Sequence, residues 1–308
     1  MNIFNIVFLK ILSSIFVVLL GYVAGKIRKI DKETITSLLF YFIAPIVIIS
    51  ILTKSRLKIS DFSIVFITFL ICSCLNIITF FLSKNIWNDN HKNILAFSAG
   101  TGNGTFVALP IATALFDTHT VSIYVLIALG VAIYEISVGY YVCALTKERK
   151  NFQENLFRIV KLPIFISFVL GSALSLVGFR IPEFLSEFTK NMQSCFSVLG
   201  MLLVGVSISE VKQFKLDWKF LLAIIFCKFV LFTSFFNLFV FFDKYIFKLY
   251  NKKYHDALQL ISVTPISVSV VITSIIFNLY PEKASTALLF SLLVSLIYSP
   301  LVLKFLLF

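Results

Sequence analysis

The chain has 308 residues, of which 59% are hydrophobic and only 14% charged, and its formal net charge is +12. A soluble domain carries about 25% charged residues because water must wet its surface, so this composition excludes a soluble enzyme and indicates a polytopic membrane protein. The basic residues cluster between apolar runs, where they set topology and meet anionic lipid headgroups, so nucleic-acid binding is not expected.

Ten apolar runs are long enough to cross a hydrocarbon layer of about 30 Å, which takes roughly 20 helical residues. Helices are expected because lipid offers no partner for unpaired backbone groups. The first run is predicted to be retained, since Lys26 and Arg28 follow it instead of a cleavage site. In chain order the predicted spans are 5–25, 34–53, 62–83, 93–116, 120–145, 157–178, 188–208, 219–242, 257–280 and 284–306.

Ten spans divide into five plus five, and an odd number per half makes two similar halves insert with opposite orientation. The predicted organisation is a first five-helix repeat over 1–146, a cytoplasmic linker over 147–156 and a second repeat over 157–308. Lys and Arg are more numerous on one face, which favours an external N-terminus. That face holds the connections 26–32, 84–92, 147–161 and 212–219 and Lys283.

A faint internal similarity accompanies this division. An offset of 164 residues aligns 115–135 with 279–299, so that Leu115 meets Leu279 and the Ile133-Tyr134 pair meets Ile297-Tyr298. Chance agreement between apolar segments is common, so the alignment matters chiefly for where it puts helix-breaking residues.

The fourth span carries three glycines near its middle, within the sequence AGTGNGT at 99–105. A cluster of Gly100, Gly102 and Gly104 around Thr101 and Asn103 disfavours a continuous helix. Small residues also serve close helix packing in membranes, which is the structural alternative for a single interrupted span.

The ninth span carries Pro265 among the hydroxyls of Thr264, Ser267 and Ser269. Proline removes a backbone donor and clashes with the preceding turn. The offset of 164 places Pro265 on Thr101, and two interruptions at corresponding places in two halves point to a transporter's midplane binding site. Half-helix N-termini at such a crossing would present unpaired N–H groups and partial positive charge, which suits a carboxylate.

The chain resembles the auxin efflux carrier family, membrane transport proteins that include plant auxin carriers and bacterial malate or malonate permeases. The resemblance rests on FYFIAPIVI at 40–48, GNGTFVALPI at 102–111, LLVGVSI at 202–208 and the end of the chain from TPISVSVV at 264. It implies an all-α integral membrane fold of ten helices in two inverted five-helix repeats, with broken fourth and ninth helices that cross at the site.

The resemblance also implies roles for individual residues. Asn103 matches the family's asparagine at the fourth-helix crossing, where it would contact a substrate carboxylate, and Pro265 matches the crossing proline of the ninth helix. Gly102 stands where plant members have proline. Tyr134 matches a tyrosine that lines the pocket in plant carriers, and a homodimer follows from the resemblance alone.

Two charges, Glu135 and Lys228, lie deep inside predicted spans, and ionisable groups there are functional candidates by default. Burial disfavours the charged form of a carboxyl, so Glu135 is a candidate proton carrier. Lys228 is a candidate to hold an anion or to replace a coupling cation electrostatically. A structural ion pair between Glu135 and Lys228 is the alternative.

The sequence therefore predicts a secondary transporter of small organic anions that works by alternating access. Dicarboxylates are favoured over auxin, because the Lys-, Ile- and Phe-rich composition suggests a bacterial inner membrane protein. The alternatives are a sodium-coupled carrier similar to bile-acid symporters and a non-transporting sensor or scaffold. No enzyme activity, metal or cofactor is expected, because the acidic and histidine residues are scattered in predicted loops and helix ends. The predicted substrate-binding set is Thr101, Gly102, Asn103, Gly104, Tyr134, Thr264, Pro265 and Ser267.

Overall fold

The computed structural model describes residues 3–54, 57–145, 163–210 and 216–307, and every regular element in these ranges is helical. The predicted linker 147–156 lies outside the described residues, as does the start of the predicted sixth span. In chain order we number the helices α1 (Ile3–Ile27), α2 (32–53), α3 (Ile59–Ser83), α4 (His91–Leu115), α5 (Thr118–Ala144), α6 (Pro163–Leu176), α7 (Glu183–Ser209), α8 (Trp218–Phe247), α9a (Lys252–Ser262), α9b (Ser269–Phe277) and α10 (Pro281–Leu306).

Seven of these helices are long and apolar enough to cross a membrane, namely α1, α3, α4, α5, α7, α8 and α10. The predicted spans 34–53 and 157–178 correspond to α2 and α6, whose apolar parts are shorter (Tyr41–Thr53 and Ile166–Leu176). The predicted span 257–280 is the separate pair α9a and α9b. The described ranges are thus all-helical, and the chain is an integral membrane protein.

The helices pack as two bundles. In the first bundle, α1 lies along α7, and α2 contacts both α6 and α7. Glycines permit the close approach of α1 and α7, because a Cβ on Gly21 would lie 2.3 Å from the Leu202 carbonyl oxygen and one on Gly205 would lie 2.0 Å from that of Val18. Such small-residue contacts let membrane helices gain van der Waals packing without a hydrophobic driving force.

The second bundle contains α3, α4, α5, α8, α9a, α9b and α10. Within it α3 packs on α4 and α5, α9a packs on α5 and α8, and α10 contacts α8, α9a and α9b. Helix α1 also contacts α10, which joins the two bundles along one side. The interrupted helices therefore belong to one bundle and face the other.

Candidate functional site

Helix α4 is interrupted at residues 100–103, between the half-helices α4a (His91–Ala99) and α4b (104–115). The interruption lies at the predicted glycine cluster. Glycine is required at position 100, because a Cβ there would lie 2.4 Å from the Tyr134 ring and 2.7 Å from the Cys72 carbonyl oxygen. The unwound segment is therefore pressed against α3 and α5.

The second interruption separates α9a from α9b over residues 263–268 and contains Pro265, as the sequence predicts. The Thr264 hydroxyl donates to the Ile261 carbonyl oxygen at 2.8 Å and so satisfies one acceptor at the end of α9a. Side-chain hydroxyls of this kind replace the backbone partners that an interrupted helix loses.

The two unwound segments contact each other directly. The Asn103 N–H donates to the Pro265 carbonyl oxygen at 2.9 Å. The segments are so close that a Cβ on Gly102 would lie 2.8 Å from the Thr264 hydroxyl oxygen. We call this contact, formed by residues 100–103 and 263–268, the crossing.

Side-chain oxygens at the crossing accept hydrogen bonds from the first turn of each second half-helix. The Asn103 Oδ1 accepts from the Phe106 N–H at 3.3 Å, and the Ser267 Oγ accepts from the Ser269 N–H at 3.2 Å. A helix N-terminus carries partial positive charge from its aligned peptide dipoles. The N-termini of α4b and α9b therefore bring two positive dipole ends to the same place, which suits an anion.

A cavity of about 340 Å³ opens beside these two N-termini, between the bundles. Its wall on the first bundle is apolar apart from Tyr41, and includes Phe168 of α6 and Phe196 of α7. Its wall on the second bundle supplies the other polar groups, namely Asn103, Thr105, Tyr124, Glu135, Ser267 and Ser269. The sequence did not predict the apolar wall, because residues that face lipid and residues that face such a cavity have the same composition.

Three polar atoms of this cavity's lining residues are buried and make no hydrogen bond within 3.5 Å among the described residues: Asn103 Nδ2, Glu135 Oε1 and Ser269 Oγ. The Ser267 and Ser269 side chains are the polar neighbours of the Glu135 carboxyl. Unpaired buried polar groups are costly and rare, so each calls for a partner. Together they offer a donor amide, a hydroxyl and a carboxyl to a small polar ligand.

Five residues of the predicted site lie outside the cavity lining: Thr101, Tyr134, Lys228, Thr264 and Pro265. The expectation that Tyr134 lines the pocket is not met, because its ring turns away toward α3 and α4a. Its hydroxyl accepts from the Asn76 amide at 2.9 Å and donates to the Phe97 carbonyl oxygen at 2.8 Å. Glu135 faces the cavity, and no ion pair within 4 Å joins it to Lys228.

The outer end of α4a is held by a polar cluster. The Lys283 ammonium lies 2.8 Å from His91 Nε2, which must accept because an ammonium has only donors. His91 Nδ1 therefore carries the proton and donates to Asp89 at 2.8 Å. The Lys283 ammonium also donates to Asp217 at 2.6 Å, and this hydrogen bond holds the pKa of Asp217 below its usual value.

The outer end of α9a is held in a corresponding way. His255 Nε2 lies 2.7 Å from an Asp243 oxygen, and the Lys253 ammonium lies 2.9 Å from Asp117, the residue that caps α5. The first half of each broken helix is thus fastened at both ends, which leaves the crossing as a fixed feature of the second bundle.

A membrane-embedded bundle with two broken helices that meet beside an internal cavity is the architecture of a membrane transporter. The model of the membrane transport protein family matches residues 6–303. The chain therefore belongs to this family, whose members are transporters and not enzymes. No match is found among the curated proteins.

Proposed function

We propose that the protein is a secondary transporter of small organic anions, which bind in the cavity beside the crossing and cross the membrane by alternating access. The observation that carries this proposal is the meeting of two half-helix N-termini with three unpaired polar atoms in one cavity between two bundles. Asn103 is the proposed carboxylate ligand, since its Nδ2 donor is free while its Oδ1 is occupied as a cap.

The shape of the cavity supports a carboxylate with an apolar body. A volume of about 340 Å³ is at the lower end of small-molecule sites. Phe106, Phe168 and Phe196 line the cavity, and Phe106 contacts Phe196 at 5.3 Å between ring centroids. A compact dicarboxylate such as malate would place its second charge against these rings, so an auxin-like monocarboxylate fits this lining better.

Glu135 supports proton coupling in this proposal. An anionic substrate and an ionised carboxyl in a cavity of this size repel each other, and a proton on Glu135 removes the repulsion. Glu135 would therefore bind a proton with the substrate and release it when the site opens to the other side.

The fold supports the proposed ten-helix inverted repeat. His91 and His255 occupy the first turns of α4a and α9a, and the offset of 164 that aligns Tyr134 with Tyr298 also aligns these histidines. The half-helix α4a is fastened by the starts of α8 and α10, and α9a is fastened by the starts of α3 and α5 through Asp61 and Asp117. Each half of the chain thus holds the broken helix of the other half: the starts of α8 and α10 contact α4a, and the starts of α3 and α5 contact α9a.

The proposal includes a location and an assembly. The basic connections favour an external N-terminus in a bacterial inner membrane, and the family resemblance suggests a homodimer. These assignments rest on charge distribution and resemblance, and none of the contacts at the crossing depends on them.

Uptake into proteoliposomes tests the function. Labelled malate, malonate, citrate and an aromatic acetic acid are offered separately, with a pH gradient or a sodium gradient imposed in turn. We expect saturable uptake of the aromatic acid, driven by the pH gradient and unaffected by sodium. Absence of specific flux for every anion in both directions would refute the transporter proposal, and retained pH-driven accumulation in a Glu135→Gln variant would remove Glu135 as the proton carrier.

A further inference from the structure

Lys228 is a fully buried lysine in the middle of α8. Its ammonium donates to the Thr101 carbonyl oxygen at 2.6 Å and lies 3.2 Å from the centroid of the Phe232 ring. It does not line the cavity and therefore does not belong to the proposed substrate site. A lysine inside a membrane protein needs a function that compensates for its desolvation.

The partner of Lys228 belongs to the unwound part of α4. Thr101 follows the C-terminal end of α4a, where the helix dipole is negative and the last carbonyl groups lack helical partners. In transporters with broken helices, freed carbonyl groups and half-helix C-termini are the places where a coupling Na⁺ is coordinated. The Lys228 ammonium thus meets the same electrostatic requirement as a bound metal cation.

The space around this contact is already filled. A Cβ on Gly102 would lie 3.2 Å from Lys228 Nζ, and the Phe232 ring covers the ammonium. Carbonyl and aromatic groups are favourable neighbours for a cation, and the bond at 2.6 Å is in the range of charge-assisted hydrogen bonds.

We propose that the Lys228 ammonium is a built-in cation that occupies the place of a coupling Na⁺ at the crossing, so that the carrier works without sodium. This proposal rests on the proposed transport function, and it makes Lys228 a positioning residue. The ammonium fixes the Thr101 carbonyl, and through the unwound segment it holds Asn103, which follows after Gly102, in place to bind substrate.

Thermal unfolding of the purified protein in NaCl and in choline chloride gives a test that does not require transport. The wild-type midpoint is expected to be the same in both salts. In Lys228→Ala, the vacated position would admit Na⁺, so the midpoint should be higher in NaCl than in choline chloride. A sodium-dependent wild-type midpoint, or a folded Lys228→Ala with equal midpoints, would overturn the proposal.

Lys228→Gln removes the charge but keeps an N–H donor, on a side chain that is one bond shorter. We expect uptake to fall about tenfold or more, as for loss of a charge-assisted hydrogen bond. Lys10→Gln is the matched control, since Lys10 is exposed in α1 and its replacement removes the same charge. Equal uptake by the two glutamine variants would overturn the proposal.

If the Lys228 variants do not fold, the wild-type salt comparison decides. If no anion is transported, the midpoints still report on the cation position and the transport proposal fails separately.

Discussion

Helix α4 and the broken helix α9, which consists of α9a and α9b, are interrupted at the same crossing. The C-terminal ends of their first halves, α4a and α9a, are held by different side chains. At the end of α4a, the Tyr134 phenol donates to the Phe97 carbonyl oxygen, and Lys228 holds Thr101. At the end of α9a, the carbonyl groups accept from neutral hydroxyls and not from a lysine. Thr233 donates to the Ser262 carbonyl oxygen at 2.9 Å and Ser299 to that of Val263 at 2.6 Å.

The difference follows the position of the proposed ligand. The unwound part of α4 supplies the free amide of Asn103, whereas that of α9 supplies the Pro265 carbonyl that accepts from the Asn103 N–H. A buried charge costs free energy, so a lysine at the end of α4a and none at the end of α9a indicates that the backbone of α4 must be held in place more accurately for substrate binding. We therefore expect changes in α4 to affect transport more than matched changes in α9.

The largest effect is expected at Asn103 and Ser267, whose side chains accept from the first turns of α4b and α9b. Asn103→Asp keeps the oxygen that caps α4b but replaces the free amide donor with a negatively charged oxygen, so the apparent affinity for an anion should fall about tenfold or more. Ser267→Ala removes a cavity-lining hydroxyl whose oxygen accepts from the Ser269 N–H, and the affinity should fall about two- to threefold. Substrate-concentration dependence of uptake measures both changes.

Asn103→Ala serves as the control for the cap, because alanine removes the cap and the donor together. Its unfolding midpoint should be lower than that of Asn103→Asp, while both lose affinity. Unchanged affinity in both Asn103 variants would exclude Asn103 as a ligand.

The second pair concerns the crossing residues Gly102 and Pro265. In Gly102→Ala the new Cβ would lie 2.8 Å from the Thr264 hydroxyl oxygen, so the segments must separate, which costs about 1–3 kcal/mol as for other overpacked sites. Pro265→Ala keeps the carbonyl that accepts from Asn103 and should cost less than about 1 kcal/mol. The unfolding midpoints of the two variants, measured in the same detergent, give the order. A larger loss in Pro265→Ala would reverse our interpretation of which segment is the more tightly constrained.

The third pair compares Tyr134 and Tyr298, the two tyrosines that the offset of 164 aligns. Tyr134→Phe leaves the buried Asn76 Nδ2 without its acceptor and the Phe97 carbonyl without its phenol donor, so we expect a loss of about 1–3 kcal/mol. Tyr298→Phe removes a donor to the Phe229 carbonyl oxygen and a weaker contact with the Thr233 hydroxyl oxygen at 3.1 Å, and should cost about 1 kcal/mol. Thermal unfolding measures both, and equal losses would show that the Asn76 contact adds nothing to stability.

Much of this arrangement could be predicted from the sequence, because it depends on local chemistry. Glycine clusters and proline break helices wherever they occur, so both interruptions lie at the predicted residues. The partner of Lys228 could not be predicted, since Thr101 is distant in sequence and meets it only after the bundle forms. The resemblance assigns Tyr134 to the pocket, but neighbouring residues on a helix point in different directions, and of Tyr134 and Glu135 it is Glu135 that faces the cavity.

The smallest expected effect concerns the outer ends of the two broken helices, where Asp117 and Asp217 pair with lysines. Partial burial raises the pKa of Asp117, but hydrogen bonds from Lys253 and the Thr120 N–H outweigh this and lower it to about 2. A carboxyl whose pKa is lowered by folding stabilises the protein above its usual value of 3.8, and that contribution is lost as the pH falls toward 2.

We therefore expect wild type to lose more unfolding free energy than Asp117→Asn between pH 5 and pH 2, by less than about 1 kcal/mol because the pair is solvent-exposed. Asp217→Asn should show a similar sign, since Lys283 lowers the pKa of Asp217. Its effect should also be less sensitive to salt, because Asp217 and Lys283 are the more buried pair. Unfolding midpoints measured across this pH range at low and high salt compare the Asp117–Lys253 and Asp217–Lys283 ion pairs. An acid dependence that is unchanged in Asp117→Asn would show that the Lys253 pair does not fasten α9a.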